Sequence, residues 1–185
     1  MRLKIFQIGE PVLRQTARKL SREEILSSKI QQLISFMQDT LYDAPGVGLA
    51  APQIGESLQL IVIEDKKEYW KNLSRAQLEI RERKEVPFHV IINPKLTIEK
   101  TEVKEFYEGC LSIPAFMGVV PRALAVKVEC LNEKAEPVTI HAQGWYARIL
   151  QHEINHLQGI LCIDHMKLQT LTTFENYNKY WLSSQ

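Results

Sequence analysis

The chain has 185 residues, a formal net charge of +1, 45% apolar residues and 24% charged residues. That length predicts one domain over residues 1–185, long enough to bury a sizeable core. The charge balance carries no nucleic-acid or membrane signature, and no apolar run approaches the roughly 20 residues a membrane helix needs. Cys110, Cys130 and Cys162 are too few for a disulfide scaffold and point to a reducing compartment. The opening MRLKIFQIGEPVL lacks the apolar segment and cleavage site of a secretory signal. A cytoplasmic location is the expectation, or an organelle if a leader has been removed.

In chain order, Gly9-Glu10-Pro11 reads as a turn leading into a short helical piece. Ser21 with Glu24 three residues on has the form of a capping box. Residues 28–43 form a stronger helix, with Ile30, Leu33, Ile34, Met37 and Leu41 at core spacing. Ala44-Pro45-Gly46 ends it. The small-residue run Gly46 to Gln53, GVGLAAPQ, precedes a strand over 58–63 and lacks the lysine of a phosphate-binding loop. From Asp65 to Val86 the chain turns charged, and Arg81-Glu82-Arg83-Lys84-Glu85 reads as a solvated surface excursion. Residues 88–93 read as a strand stopped by Pro94, and 95–106 as another. The clearest strand is 119–132, where Leu124, Val126, Val128 and Cys130 alternate with Ala125, Lys127 and Glu129. A turn at 132–135 returns it through Val138, Ile140 and Ala142. After a helix over 144–159, residues 160–163 read as a short strand. Phe174, Tyr177 and Trp181 read as a docking stripe. Strands around one central helix, with helices at both ends, predict an α+β fold.

The central helix, GWYARILQHEINHLQG from Gly144 to Gly159, divides into three stripes. Trp145, Ile149, His152 and His156 share one face, with Glu153 at its edge. Ala147, Leu150, Ile154 and Leu157 form an apolar face; Arg148, Gln151, Asn155 and Gln158 form a polar one. His-Glu-x-x-His sets two imidazoles one turn apart, where a single metal ion takes both. A catalytic site of this kind needs a third protein ligand from elsewhere in the chain. His89, His141 and His165 have no supporting pattern, and Cys130 and Cys162 read as buried small hydrophobes. Cys110, in Glu108-Gly109-Cys110-Leu111-Ser112, is the best third ligand on chemistry alone, although spacing leaves the choice open. A metalloprotease with a downstream third ligand and a closed structural metal site are the competing classes.

Three segments together, Gly46 to Gln53, Glu108 to Ser112 and Gln151 to Gly159, resemble the signature motifs of peptide deformylases. So do Ile113-Pro114 and the run Val119-Val120-Pro121-Arg122. The approach Gly-Trp-x-Ala-Arg-Ile is similar to the branch of that family also found in organelles. The resemblance implies a deformylase-like fold packed around one metal-binding helix. It also implies removal of the N-formyl group from the initiator methionine of nascent chains, with release of formate.

Residue by residue, the resemblance implies metal ligation by Cys110, His152 and His156 and a general acid/base at Glu153. Gln53 and the Leu111 N–H would form the oxyanion pocket. Substrate binding would fall to Gly46, Val47, Gly48, Phe106, Glu108, Gly109, Trp145, Arg148 and Ile149, with Arg148 at the rim because it lies on the polar stripe. The cofactor implied is one divalent metal ion, iron(II) in the cell, with zinc, nickel or cobalt in purified samples. The partners implied are the formyl-methionyl nascent peptide and the ribosome near its exit tunnel, with no nucleic-acid motif and no membrane. One position departs from the family: Asn155 stands where an Asp usually precedes the second histidine. This predicts a weaker brace to Arg122 and no loss of catalysis.

Overall fold

A computed structural model describes residues 1–182 of the chain. Ser21 and Glu24 exchange hydrogen bonds as a capping box, with the Glu24 N–H donating to Ser21 Oγ at 3.2 Å. They open the short helix α1 (Arg22–Leu26). Ser27 caps α2 (Ser28–Asp43), whose buried positions Ile30, Ile34, Met37 and Leu41 follow the helical period. A one-turn helix at Pro11–Arg14 precedes both, as the turn at residue 9 predicts.

Five strands follow: β1 (Gly48–Ala50), β2 (Leu60–Asp65), β3 (Val86–Cys110), β4 (Ile113–Leu131) and β5 (Pro137–Gln143). They pair antiparallel in the order β1-β2-β3-β4-β5, and the two-residue β6 (Thr172–Thr173) adds to β4. The short helix α3 (Arg75–Arg81) lies between β2 and β3. The central helix α4 (Gly144–Leu157) follows β5, and α5 (Cys162–His165) follows it.

Strand β2 explains why the sheet has two cores. Ile61 and Ile63 point into the cluster that holds Leu150, Ile154 and Leu157 of α4. Leu60 and Val62 point the other way, into the cluster with Ile34, Met37 and Leu41 of α2. A strand sandwiched between two helices has no solvent face, so its sequence is a continuous apolar run instead of an alternation.

The structure corrects several expectations. Pro94 does not stop a strand: β3 runs through it, with a register shift between Ile92 and Lys95. Asn93 takes a left-handed conformation there (φ 53°), and its side-chain amide exchanges two hydrogen bonds with the Leu20 backbone at 2.9 and 2.8 Å. A bulge is one of the places where a sheet tolerates a residue without an N–H. Residues 160–163 are not a strand. Asp164 accepts the Leu161 N–H at 2.8 Å and turns the chain into α5. Of the C-terminal stripe, Tyr177 is buried, whereas Phe174 and Trp181 are largely exposed. The run 81–85 is no simple surface excursion either. Arg81 is buried, and Arg83 Nε donates to the buried Asp65 at its Oδ2, 2.8 Å away.

Candidate active site

Two elements build the site. Alternation along β3 puts Phe106, Glu108 and Cys110 on one face, toward α4. Helix α4 presents Trp145, Ile149, His152 and His156 to that face. Its polar stripe is tied to β4: the Gln151 amide bridges the Ala123 N–H and carbonyl, and Arg148 donates to the Val120 carbonyl at 2.8 Å. Every face of the helix is therefore used, which fixes its rotation.

The ligand atoms of Cys110, His152 and His156 all lie within 4.8 Å of one another. Cys110 Sγ is 3.4 Å from His156 Nε2. A tetrahedral ion with ordinary metal–sulfur and metal–nitrogen bonds spaces two such ligand atoms about 3.6 Å apart, so the cluster fits one ion. His152 Nδ1 is 3.0 Å from Glu108 Oε2, which makes Nδ1 the donor and leaves Nε2 for a metal. Burial pushes the His156 ring well below the ordinary range and keeps it neutral. The neighbouring Cys162 thiol and burial push the Cys110 thiol well above its usual range, so a thiolate there calls for a compensating cation. His89 is instead 2.8 Å from the Tyr146 hydroxyl, and His141 pairs with Glu99.

Glu153 lies against this cluster, and its Oε2 is buried without a hydrogen-bond partner among the described residues. Burial raises its carboxyl to about 7. Glycine at 48 makes this position available, since a Cβ there would stand 2.4 Å from Glu153 Oε1. Gly46 does the same for Leu111, whose Cδ1 would lie 2.9 Å from an added Cβ. In the fold, side chains of the site occupy the space that a Cβ at either position would take. Gln53 is buried on the same side. Its Oε1 accepts the Ala50 N–H at 2.9 Å, so its Nε2 points at Cys110 Sγ (3.7 Å) and Ser112 Oγ (3.2 Å).

Glu108 is the electrostatic hub. Its carboxylate accepts from Arg122 Nε and Nη2 at 3.1 and 2.9 Å, from Arg148 Nη1 at 2.6 Å, and from His152. Burial alone would raise its pKa, but bonding to His152 and Arg122 holds it well below the carboxylate range. Burial also works against a charge on His152, and the bond to Glu108 outweighs it, raising the ring to about 9. Arg122 spends its remaining arm, Nη1, on Asn155 Oδ1.

The comparisons with known proteins bear directly on this arrangement. The family profile described as Polypeptide deformylase matches residues 2–171. The chain belongs to that family. It is 43% identical to "Peptide deformylase 1A, chloroplastic" of Solanum lycopersicum over 93% of this chain, and spans 62% of that protein's length. It is 43% identical to a peptide deformylase of Bifidobacterium adolescentis over 96% of this chain and 78% of that one. The class I type b peptide deformylase from Acinetobacter baumannii, solved with Met-Ala-Ser bound, superposes with a TM-score of 0.79 at 33% identity. It covers 90% of this chain and 99% of that one. The enzyme from Synechococcus elongatus in complex with actinonin gives 0.74 at 37% identity, covering 89% and 79%.

Within this deformylase-family chain, the structure brings together nearly all the residues singled out in the sequence. Two positions differ from expectation. Arg148 is 4% exposed and bonded to Glu108, so it is inside the site and not at the rim. Glu108 has its oxygens occupied by Arg122, Arg148 and His152, so it positions those groups. Sequence reading missed the joint role of Ser112 with Gln53, and missed Arg81, whose guanidinium packs over Phe106 and Trp145. A lone arginine in a charged run gave no signal of burial.

Proposed function

We propose that this chain is a metal-dependent hydrolase that removes the N-formyl group from the N-terminal formyl-methionine of nascent polypeptides and releases formate. The observation that carries the reading is the Cys110–His152–His156 cluster with the unpartnered, buried Glu153 carboxylate against it. A divalent cation held by those three residues would supply Lewis acidity toward the formyl oxygen and acidify a water molecule. Glu153 Oε2 takes the proton of the attacking water. As charge develops on the formyl oxygen, Gln53 Nε2 and the Leu111 N–H donate to it; one such donor typically contributes about 100- to 1,000-fold in rate. The Ala50 N–H keeps the Gln53 amide turned the right way for this. Glu153 then returns the proton to the methionyl nitrogen as the C–N bond breaks, and formate leaves with the free amine.

The methionine side chain rests among Val47, Phe106, Trp145 and Ile149. The peptide beyond it lies along β1, an edge strand of the sheet. The Met-Ala-Ser held by the Acinetobacter relative supports a peptide of this kind. Thiolate plus two imidazoles suits several divalent metals; family resemblance favours iron(II) in the cell. No helix among the described residues is long and apolar enough to cross a membrane. The chain acts in a cytoplasm or organelle where initiation is formylated, near the ribosomal exit. The tomato relative is named chloroplastic and a human one mitochondrial.

The test is formate release from formyl-Met-Ala-Ser by wild type and Cys110→Ala. Loss of both metal and activity in the variant supports the reading. A variant that keeps its metal and cleaves internal peptide bonds would make the chain a protease.

A further inference from the structure

The last residue of α3 has a side chain in an unusual setting. Arg81 is 4% exposed, and its guanidinium carbon lies 5.6 Å from the Phe106 ring centre and 5.5 Å from that of Trp145. Its Nη2 is 3.5 Å from the Tyr177 hydroxyl. Its Nε is buried with no acceptor among the described residues, and so is Trp145 Nε1. The carboxylates nearby are committed elsewhere: Asp65 to Arg83, Glu108 to Arg122, Arg148 and His152, and Glu82 to Gln143 and Lys104. A buried guanidinium with no counter-ion among the described residues costs stability, and a plain brace for this loop would not require one.

Its place along α4 gives it a use. Gly144 takes φ +62°, and a Cβ there would stand 2.8 Å from the Arg81 carbonyl oxygen and 2.5 Å from Glu82 Cβ. Residues 81 and 82 thus cross the end of α4 remote from the metal cluster. From His152 to Gly144 is eight residues, about 12 Å of helix. A side chain that enters beside His152 and runs along Ile149 and Trp145 therefore ends at Arg81.

We propose that Arg81 is the end wall of the methionine pocket and sets which side chains the site accepts. The inference rests on the function proposed above. The flat guanidinium limits pocket depth, and the unpartnered N–H groups of Arg81 and Trp145 favour a polarisable sulfur, a weak acceptor, over a methylene at the same place.

The probes are formyl-Met-Ala-Ser and its norleucine and ethionine counterparts, the last one methylene longer, assayed for kcat and KM. Wild type prefers methionine over ethionine by about tenfold or more, the discrimination one methylene supports in a shaped pocket. In Arg81→Ala that ratio collapses or inverts, mainly through KM. In Arg81→Met, which fills the volume without the guanidinium N–H groups, ethionine stays poor while the methionine-over-norleucine preference shrinks to what Trp145 Nε1 alone supports. If both folded variants change all three substrates by one common factor, Arg81 is only structural and the proposal is wrong. Should Arg81→Ala fail to fold by circular dichroism, the norleucine ratio in Arg81→Met decides alone. Absence of formate release by wild type from any of the three would instead overturn the proposed function.

Discussion

Gly48 and Glu153 are in such close contact that a methyl group on residue 48 would sit 2.4 Å from Oε1 and 2.6 Å from Cδ of the carboxylate. The β1 backbone is the wall against which the Glu153 carboxylate is held. Gly48→Ala should lower kcat at least about 100-fold, in the range that a positioned general base contributes, with metal content retained. Steady-state kinetics with metal analysis checks this. Near-normal kcat would show that Glu153 does not need that wall.

Glu108 joins Arg122, Arg148 and His152 through one buried carboxylate. Glu108→Gln leaves two buried guanidinium groups without their counter-charge, which costs about 3–5 kcal/mol in comparable buried pairs. It also weakens the hold on the His152 ring, so metal affinity should fall about 10- to 100-fold. Denaturant unfolding and competition with graded chelator measure the two effects separately.

Asn155 accepts from Arg122 Nη1, a contact that an aspartate at this position would make with charge. Asn155→Asp should change kcat/KM by less than about tenfold, because no group that touches metal or substrate changes. A larger gain would show that the brace limits the rate.

Leu150 is fully buried on the face of α4 that packs on β2. Leu150→Ala should destabilise the fold by about 2–5 kcal/mol and leave kcat per folded molecule nearly unchanged. Thermal unfolding and active-site titration test the separation.

How much of this was legible in the sequence follows from the range of each cause. The 3.6-residue period showed α2 and α4, and the Ser21–Glu24 pair showed the cap of α1, because those signals are local. The metal cluster was legible because two of its members share one helical turn and the third sits in a motif. Pro94 misled because the bulge that admits it depends on the pairing of β3 with β4 and on the Asn93–Leu20 bonds. Arg148 and Arg81 misled for a shared reason. Helical position and charge say exposed, but distant partners, Glu108 for one and the Phe106–Trp145 pair for the other, bury them. The glycines of residues 46–48 showed close approach, and only the fold named Leu111 and Glu153 as what approaches.

The central claim is that Glu153 moves protons beside a metal that Cys110, His152 and His156 hold. The most direct measurement takes Glu153→Ala and wild type, loaded with the same metal, and records bound metal and formate release from formyl-Met-Ala-Ser on the same samples. The account predicts equal metal content with formate release reduced at least about 100-fold in the variant. Undiminished release from a metal-loaded Glu153→Ala would contradict it.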